Sequence, residues 1–269
     1  MNEQQIKAQE RMMAMIDGTF DSERKKSPTY AERQQRKTEL MDEANKAMET
    51  GDLETVKKHH KAGRYAKSFK GQDGSFGVAA KNGHIQIVDF YVNGGSKETR
   101  IQEMMLSAAA GGQPKVIDYL IEQGADKLSI CNALYQASWN NQPTTVEHLL
   151  SKGAIAGYGN DECLRIAASD GSTEVAKILL QHGANIHANG DRALKLAVSR
   201  KHDDLVKTLI VDFKMPIKDE TKQWLSENNG TYALELLEKR ELHERLEQRF
   251  NEPRPHRFPT ATKSQKMKI

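Results

Sequence analysis

About every thirty residues this chain places a small side chain in the same setting, and no other feature restricts its fold as much. With Leu194 as reference, the equivalent positions are Ala44, Phe76, Met105, Leu134, Leu164, Leu194 and, more weakly, Gln223, at steps of 32, 29, 29, 30, 30 and 29. Three residues after each stand Ala47, Ala79, Ala108, Ala137, Ala167, Ala197 and Ser226. Seven after each stand Gly51, Gly83, Gly112, Asn141, Gly171, Lys201 and Gly230. Glycine or asparagine there suits a left-handed residue closing a short helix.

An apolar pattern follows at fixed offset. Pairs such as Ile87–Val88, Val116–Ile117, Val175–Ala176 and Leu205–Val206 are succeeded by Leu120–Ile121, Leu149–Leu150, Leu179–Leu180 and Leu209–Ile210. That spacing puts one apolar stripe on a second helix. Gly63, Gly95, Gly124, Gly153 and Gly183 then end the unit, with Phe213 as the exception. Each unit is expected to be a short helix, a tight turn, a longer helix, a glycine stop and a polar bend. Alanine at the small position lets successive first helices lie side by side at about 10 Å. A buried Leu or Ile contributes roughly 1.5–3 kcal/mol, too little for one unit alone. Several stacked units suffice. The expected architecture is an all-α helix-turn-helix solenoid of about seven repeats, with short bends and helical terminal extensions.

Composition agrees with that thin design. The chain has 29% charged residues, 6% aromatics and a net charge of +3, and its mean hydropathy is −0.73. A solenoid buries only the faces between neighbours, so it needs less apolar material than a globule of equal length.

Helix–turn–helix–bend units with "GA(N/D)" after the second helix resemble the ankyrin repeat family. "GANIHANGDRALKLA" (183–197) and "DGSTEVAKILLQHGA" (170–184) carry the match best, and it covers about residues 40–240. The family's period is about 33 with a T-P-L-H-x-A signature, whereas this chain has "CLRIAA" and "ALKLAV" at a period of 29–30. A shorter bend implies a trimmed β-hairpin finger. The thirty-residue form "NIHANGDRALKLA" is similar to arrays of large DNA viruses and phages. That likeness implies a factor that sequesters or inhibits a host protein, in the host cytoplasm.

The expected organisation is a charged N-terminal helix and linker over 1–27, a repeat array with capping helices over 28–250, and a basic, proline-containing disordered tail over 251–269. Residues 28–48 open with a T-x-x-E capping box, Thr29 to Glu32, and should form one helix running into the first repeat. Terminal repeats need a polar outer face. In the first unit His59 and His60 replace the Leu–Leu pair, and in the last Glu238 and Lys239 do. No secretory leader and no apolar run of about 20 residues is visible, so a cytoplasmic location and no membrane partner are expected.

Chemistry is sparse. Cys131 and Cys163 offer neither a disulfide framework nor a metal pair, and the chain has no phosphate loop and no HExxH. "GYGND" lacks the third glycine of a dinucleotide fingerprint and reads as a bend. A non-catalytic chain with no cofactor, no metal and no small-molecule substrate is expected.

Ankyrin-type arrays imply a protein partner held on the concave face, by the bends and the exposed ends of the first helices. The register puts Lys81, Asn82, Trp139, Asn140, Asp170 and Arg200 at those helix ends, and Tyr158 and Arg192 in or beside the bends. Trp139 is the most informative, because neighbouring units place Ala or Ser there. A second reading is nucleic-acid association through Lys57, Lys58, Lys61, Arg64, Lys67 and Lys70, in a segment (56–71) with no acid, and through the mostly basic tail. A third is a structural assembly component using the amphipathic residues 1–17.

Overall fold

Ala137, Ala167 and Ala197 sit fully buried between first helices that follow one another in a row. The computed structural model describes residues 30–61, 75–93 and 97–251. The 1–17 helix, the linker, the Thr29–Glu32 box, Arg64, Lys67, Lys70, the stops Gly63 and Gly95, and the tail from 252 lie outside the described residues.

The helices come in consecutive pairs: α1 (Tyr30–Thr50) with α2 (Leu53–Lys61), α3 (Ser75–Lys81) with α4 (Ile85–Val92), α5 (Lys97–Ala110) with α6 (Pro114–Glu122), and α7 (Lys127–Trp139) with α8 (Pro143–Ser151). Then come α9 (Tyr158–Asp170) with α10 (Thr173–Gln181), α11 (Ala188–Ser199) with α12 (Asp203–Lys207), and α13 (Asp219–Glu227) with α14 (Thr231–Asn251). No strand occurs among the described residues. Odd-numbered helices stack on odd and even on even, and each pair closes on itself. The core lies between the two rows, with Leu134, Leu164 and Leu194 inside the first and Leu120, Leu149 and Leu179 inside the second.

From Gly51 to Lys201 the left-handed positions fall where the sequence predicts them, and the structure shows what permits a side chain there. φ is +82° at Gly51, +83° at Gly83, +70° at Gly112 and +71° at Gly171. A Cβ at these four would stand 2.6–2.7 Å from the side chain of His84, Gln113, Gln142 or His202, each in the next unit. Those side chains start the next second helix and reach back across the stack. His84 Nε2 lies 2.7 Å from the Glu49 carbonyl and His202 Nε2 2.9 Å from that of Ser169. Where the following unit has a short residue instead, the glycine is released. Asn141 (φ 50°) precedes Ser172, and Lys201 (φ 60°) precedes Gly230.

The bends before α9 and α11 replace a hairpin by a left-handed turn. Gly159, Asn160 and Asp161 have φ of 65°, 59° and 58°; Asn189, Gly190 and Asp191 have 51°, 67° and 61°. In each turn the closing aspartate is buried and bonded to the next unit. Asp161 Oδ1 accepts the Asn185 amide at 2.6 Å, and Asp191 Oδ2 accepts the Thr221 hydroxyl at 2.5 Å. His187 Nδ1 lies 2.7 Å from Asp191 Oδ1. α5 and α7 span 14 and 13 residues, and α9 spans 13 with its left-handed turn included, whereas α6, α8 and α10 span 9. The expectation that the second helix is the longer is therefore reversed.

Two further expectations are corrected, and the exception at Phe213 is explained. In the last unit the register is displaced by one. Asn229 (φ 60°) holds the left-handed position, and Gly230 donates to the Leu225 carbonyl as Gln113 does to Ala108. Leu225, fully buried, thus occupies the small-residue position, while Gln223 and Ser226 are exposed. The displacement also makes Leu237, not Glu238, the buried counterpart of the earlier leucines. Second, His59 is not part of a polar outer face: it is fully buried, 3.3 Å from the Glu43 carboxylate of α1. His60 is exposed and meets the Phe90 and Tyr91 rings edge-on at 5.2 and 5.7 Å. Phe213 lacks the glycine conformation because α12 runs on as a π-turn, Thr208–Asp212. The extra residue moves the left-handed stop to Lys214 (φ 47°). Arg240 Nη1 from α14 donates to the carbonyls of Ile210 and Met215 that this leaves open, at 2.8 and 2.9 Å.

Even-numbered helices are laced by polar side chains from unit to unit. Tyr119 donates to Asp89 at 2.6 Å, and burial together with that carboxylate pushes the phenol up to about 12. Asp118 meets His148 at 2.9 Å and Lys152 at 2.7 Å, and Glu147 meets His182 at 3.2 Å.

Candidate functional site

The open face of the first-helix row consists of three side chains per unit, at two before and one and five after the reference position. From α5 to α11 the residue one after the reference is Leu106, Tyr135, Arg165 or Lys195, and the residue five after is Ala110, Trp139, Ser169 or Ser199. α7 alone presents aromatic rings at both. Trp139 is 57% exposed and stacks on Tyr135 with ring centroids 6.3 Å apart and planes inclined 23°. Leu128, 50% exposed, lies eleven residues before Trp139, which is three helical turns along the same face. Between α5 and α7 a groove of about 470 Å³ is lined by Glu103, Leu106, Ser107, Ala110, Tyr135, Gln136 and Trp139.

The groove exists because its walls are unequal. At the C-terminal end of α5 the chain reads Ala110–Gly111–Gly112, and a Cβ on Gly111 would run into the Lys81 carbonyl of the preceding unit. A wall that low leaves the larger side chains of α7 standing over it. Trp139 meets no indole-sized neighbour and so stays exposed.

The other helix-end residues divide by what they touch. Lys81 is exposed. Asn82 and Asn140 are exposed too, but their amides turn back onto the carbonyls of Val78 and Gln136, at 3.0 and 2.9 Å, and finish their own helices. Arg200 reaches the Ser169 carbonyl at 3.2 Å and Asp170 at 3.8 Å, so these two are joined across the stack. Tyr158 is 39% exposed where α9 begins. Arg192 borders a small crevice with Asn160 and Asn189, away from Trp139. Sequence reasoning missed Tyr135, Glu103, Leu106 and Gln136. The signal was present one residue after the reference, where Leu106 and Tyr135 stand in a series that continues with Arg165 and Lys195.

In the basic segment, Lys57 pairs with Glu54 at 2.9 Å and Lys58 with Glu43 at 3.7 Å, whereas Lys61 is exposed. Both cysteines are buried and unpaired. Burial pushes the Cys163 thiol up to about 11, which makes it a poor nucleophile at neutral pH. Among the described residues no cluster of three His, Cys, Asp or Glu could hold a metal ion, and no helix is long and apolar enough to cross a membrane.

A helix pair closed by a left-handed residue, stacked on identical pairs through an alanine row, defines a repeat array of the ankyrin class. The family model of ankyrin repeats matches in three copies, over residues 76–158 and 134–219, which together span more than half of the chain. This chain belongs to the ankyrin repeat family. No curated protein matches it. Ankyrin repeats generally serve as protein–protein interaction modules, scaffolds without catalytic groups of their own.

Proposed function

We propose that this chain is a non-catalytic binding module that holds a partner protein on its first-helix face, the concave face of the family, with the α5–α7 groove at the centre. The exposed Tyr135–Trp139 stack carries this reading. Every large exposed hydrophobic described between Tyr30 and Tyr232 (Leu128, Trp139, Ile155 and Tyr158) comes from α7 or from the bend and first residue leading into α9. Stacking does not need these side chains, since neighbouring units do without them. Aromatic residues in a pocket beside polar groups are the usual anchors of protein interfaces. Asp170 and Arg200 fix the neighbouring helix ends as a rim, and Lys81 is exposed at the end of α3, the first helix next to α5 on its other side.

The test is affinity capture from the native cell with the wild-type chain and with Tyr135→Ala/Trp139→Ala. The double variant should lose the captured protein while its Tm stays within a few degrees of wild type, because Trp139 is exposed and Tyr135 only half-buried at the edge of the core. Retention of the same partner by a folded double variant would exclude the groove.

A further inference from the structure

We infer that the α5–α7 groove selects a cationic side chain, an arginine or lysine carried on the partner segment; this rests on the groove being the partner site. The molecule supplies its own templates for what is missing there. Glu103 stands two residues before the reference position of its unit, as Glu162 does in α9. In α9 the residue three further on is Arg165, whose guanidinium is clasped by both oxygens of Glu162, with Nε at 2.8 Å from Oε2. In α5 that residue is Leu106, and among the described residues Glu103 has no cationic partner. The second template is aromatic. Lys195, at the position of Arg165 one unit later, places its Nζ 5.7 Å from the centre of the Trp224 ring in the following unit. Trp139 and Tyr135 offer such ring faces to α5, which places Leu106 and Ala110, and no cation, beside them.

The groove thus holds a carboxylate and aromatic rings, with Leu106 and Ala110 as an apolar floor for the stem. Elsewhere in the array each of these two kinds of group meets a cation, Glu162 with Arg165 and Trp224 with Lys195. A guanidinium suits both walls, since it forks onto a carboxylate and lies flat on an indole. A long aliphatic stem lets the charged head reach Glu103 while its methylenes cover the floor. An acidic side chain would meet Glu103 and the negative ring faces together, and would be repelled.

The chain has two tryptophans, so two indole N–H signals report separately on the groove and on α13. The 15N-labelled full chain is titrated with acetyl-Ala-Arg-Ala-amide, with its neutral isostere acetyl-Ala-citrulline-Ala-amide, and with acetyl-Ala-Glu-Ala-amide. The arginine probe should shift the Trp139 signal saturably and leave Trp224 in place. It should bind about fivefold or more above citrulline, the size expected of a partly desolvated cation on a ring and a carboxylate. Glu103→Gln should cut the preference of arginine over citrulline sharply, leaving only the part owed to the rings. Equal response to arginine and citrulline would overturn the charge selection while leaving the groove as a binding site. No response of Trp139 to any probe, or preference for the glutamate probe, would overturn it as well. The capture experiment above decides separately whether the groove is the partner site.

Discussion

Between α5 and α10 the array obeys its rules: alanine fills the stacking position, and glycine or asparagine closes the first helix. From α11 onward each rule is bent. Lys201 takes a left-handed conformation, a π-turn lengthens α12, Lys214 replaces a glycine stop, and Leu225 fills the place that alanine has elsewhere. What differs is the number of neighbours. A middle unit is clamped from both sides, and any side chain at its stacking position must clear two helices. Among the described residues α13 has a first helix, α11, on one side only, and the leucine is housed inside its own unit, where fully buried Leu225 lies against Gly230.

Two opposite substitutions give the largest expected effects. Leu225→Ala should cost about 2–5 kcal/mol, the range for a buried leucine whose cavity collapses incompletely. Ala137→Leu should cost about 1–3 kcal/mol or more by forcing α5 and α9 away from α7. Urea denaturation of both variants measures the pair. If Ala137→Leu were neutral and Leu225→Ala mild, the clamped and open environments would not differ.

The left-handed positions separate the regions at a smaller scale. Gly171→Ala should cost about 1–2 kcal/mol from the left-handed backbone alone, and more where the new Cβ meets His202. With His202→Ala in place that additional part should vanish, so the two substitutions should be non-additive in a double-mutant cycle. Lys201→Gly has the opposite sign, a gain of up to about 1 kcal/mol, because Gly230 leaves no side chain behind it to hold. Additive behaviour of Gly171→Ala and His202→Ala would mean that strain in one residue, rather than coupling between units, keeps the glycines.

The repeat was legible because stacking acts on one residue type at a fixed interval, so alanine and glycine could be counted. The C-terminal register was not. Gln223, Ser226 and Gly230 form a plausible continuation of the series, and nothing local marks Lys222, Leu225 and Asn229 as the true one. The inserted π-turn residue and the shortened bend after it change the spacing in opposite directions. The burial of His59 was missed for a related reason: a histidine in a leucine position reads as polar, unless its carboxylate partner Glu43 on the preceding helix is known. At the site, Trp139 stood out as a large residue among small ones. Tyr135 and Glu103 did not, since a tyrosine and a glutamate on an exposed helix face are ordinary until the open wall beside them is seen.

Chemical reactivity gives a kinetic form of the same comparison. Cys131 and Cys163 lie in the clamped middle, 2% and 1% exposed, and the Cys163 thiol is pushed up to about 11 chiefly by burial. Iodoacetamide at pH 8 should leave both unmodified in the native protein and label them at the rate of unfolding. Leu225→Ala should speed that labelling less than Ala137→Leu does if the end unit frays on its own. Equal acceleration would mean that the array opens as one cooperative body.

The smallest effect is electrostatic and belongs to the even-numbered helices. Burial draws the Asp118 carboxyl upward, but Lys152 and His148 on α8 outweigh it and hold the group below the usual carboxylate range. A carboxyl depressed in the folded state stabilises it above the unfolded-state value, near 4, and the contribution is lost as pH falls through the lower folded value. Asp118 is 38% exposed, so solvent screening limits the contribution to a few tenths of a kcal/mol. Asp118→Asn should therefore lower stability by that amount at pH 7 and in low salt, and the gap from wild type should close as pH drops below about 4. The link between α12 and α14 runs from Arg240 to the carbonyl oxygens of Ile210 and Met215, acceptors that take up no proton over this range. Arg240 Nε also stands 3.6 Å from the Glu244 carboxylate one turn along α14. The cost of Arg240→Met should therefore keep a constant part from the two carbonyls and lose only a few tenths of a kcal/mol in acid, whereas a cost that fades completely with that of Asp118→Asn would mean that the carbonyl bonds contribute nothing.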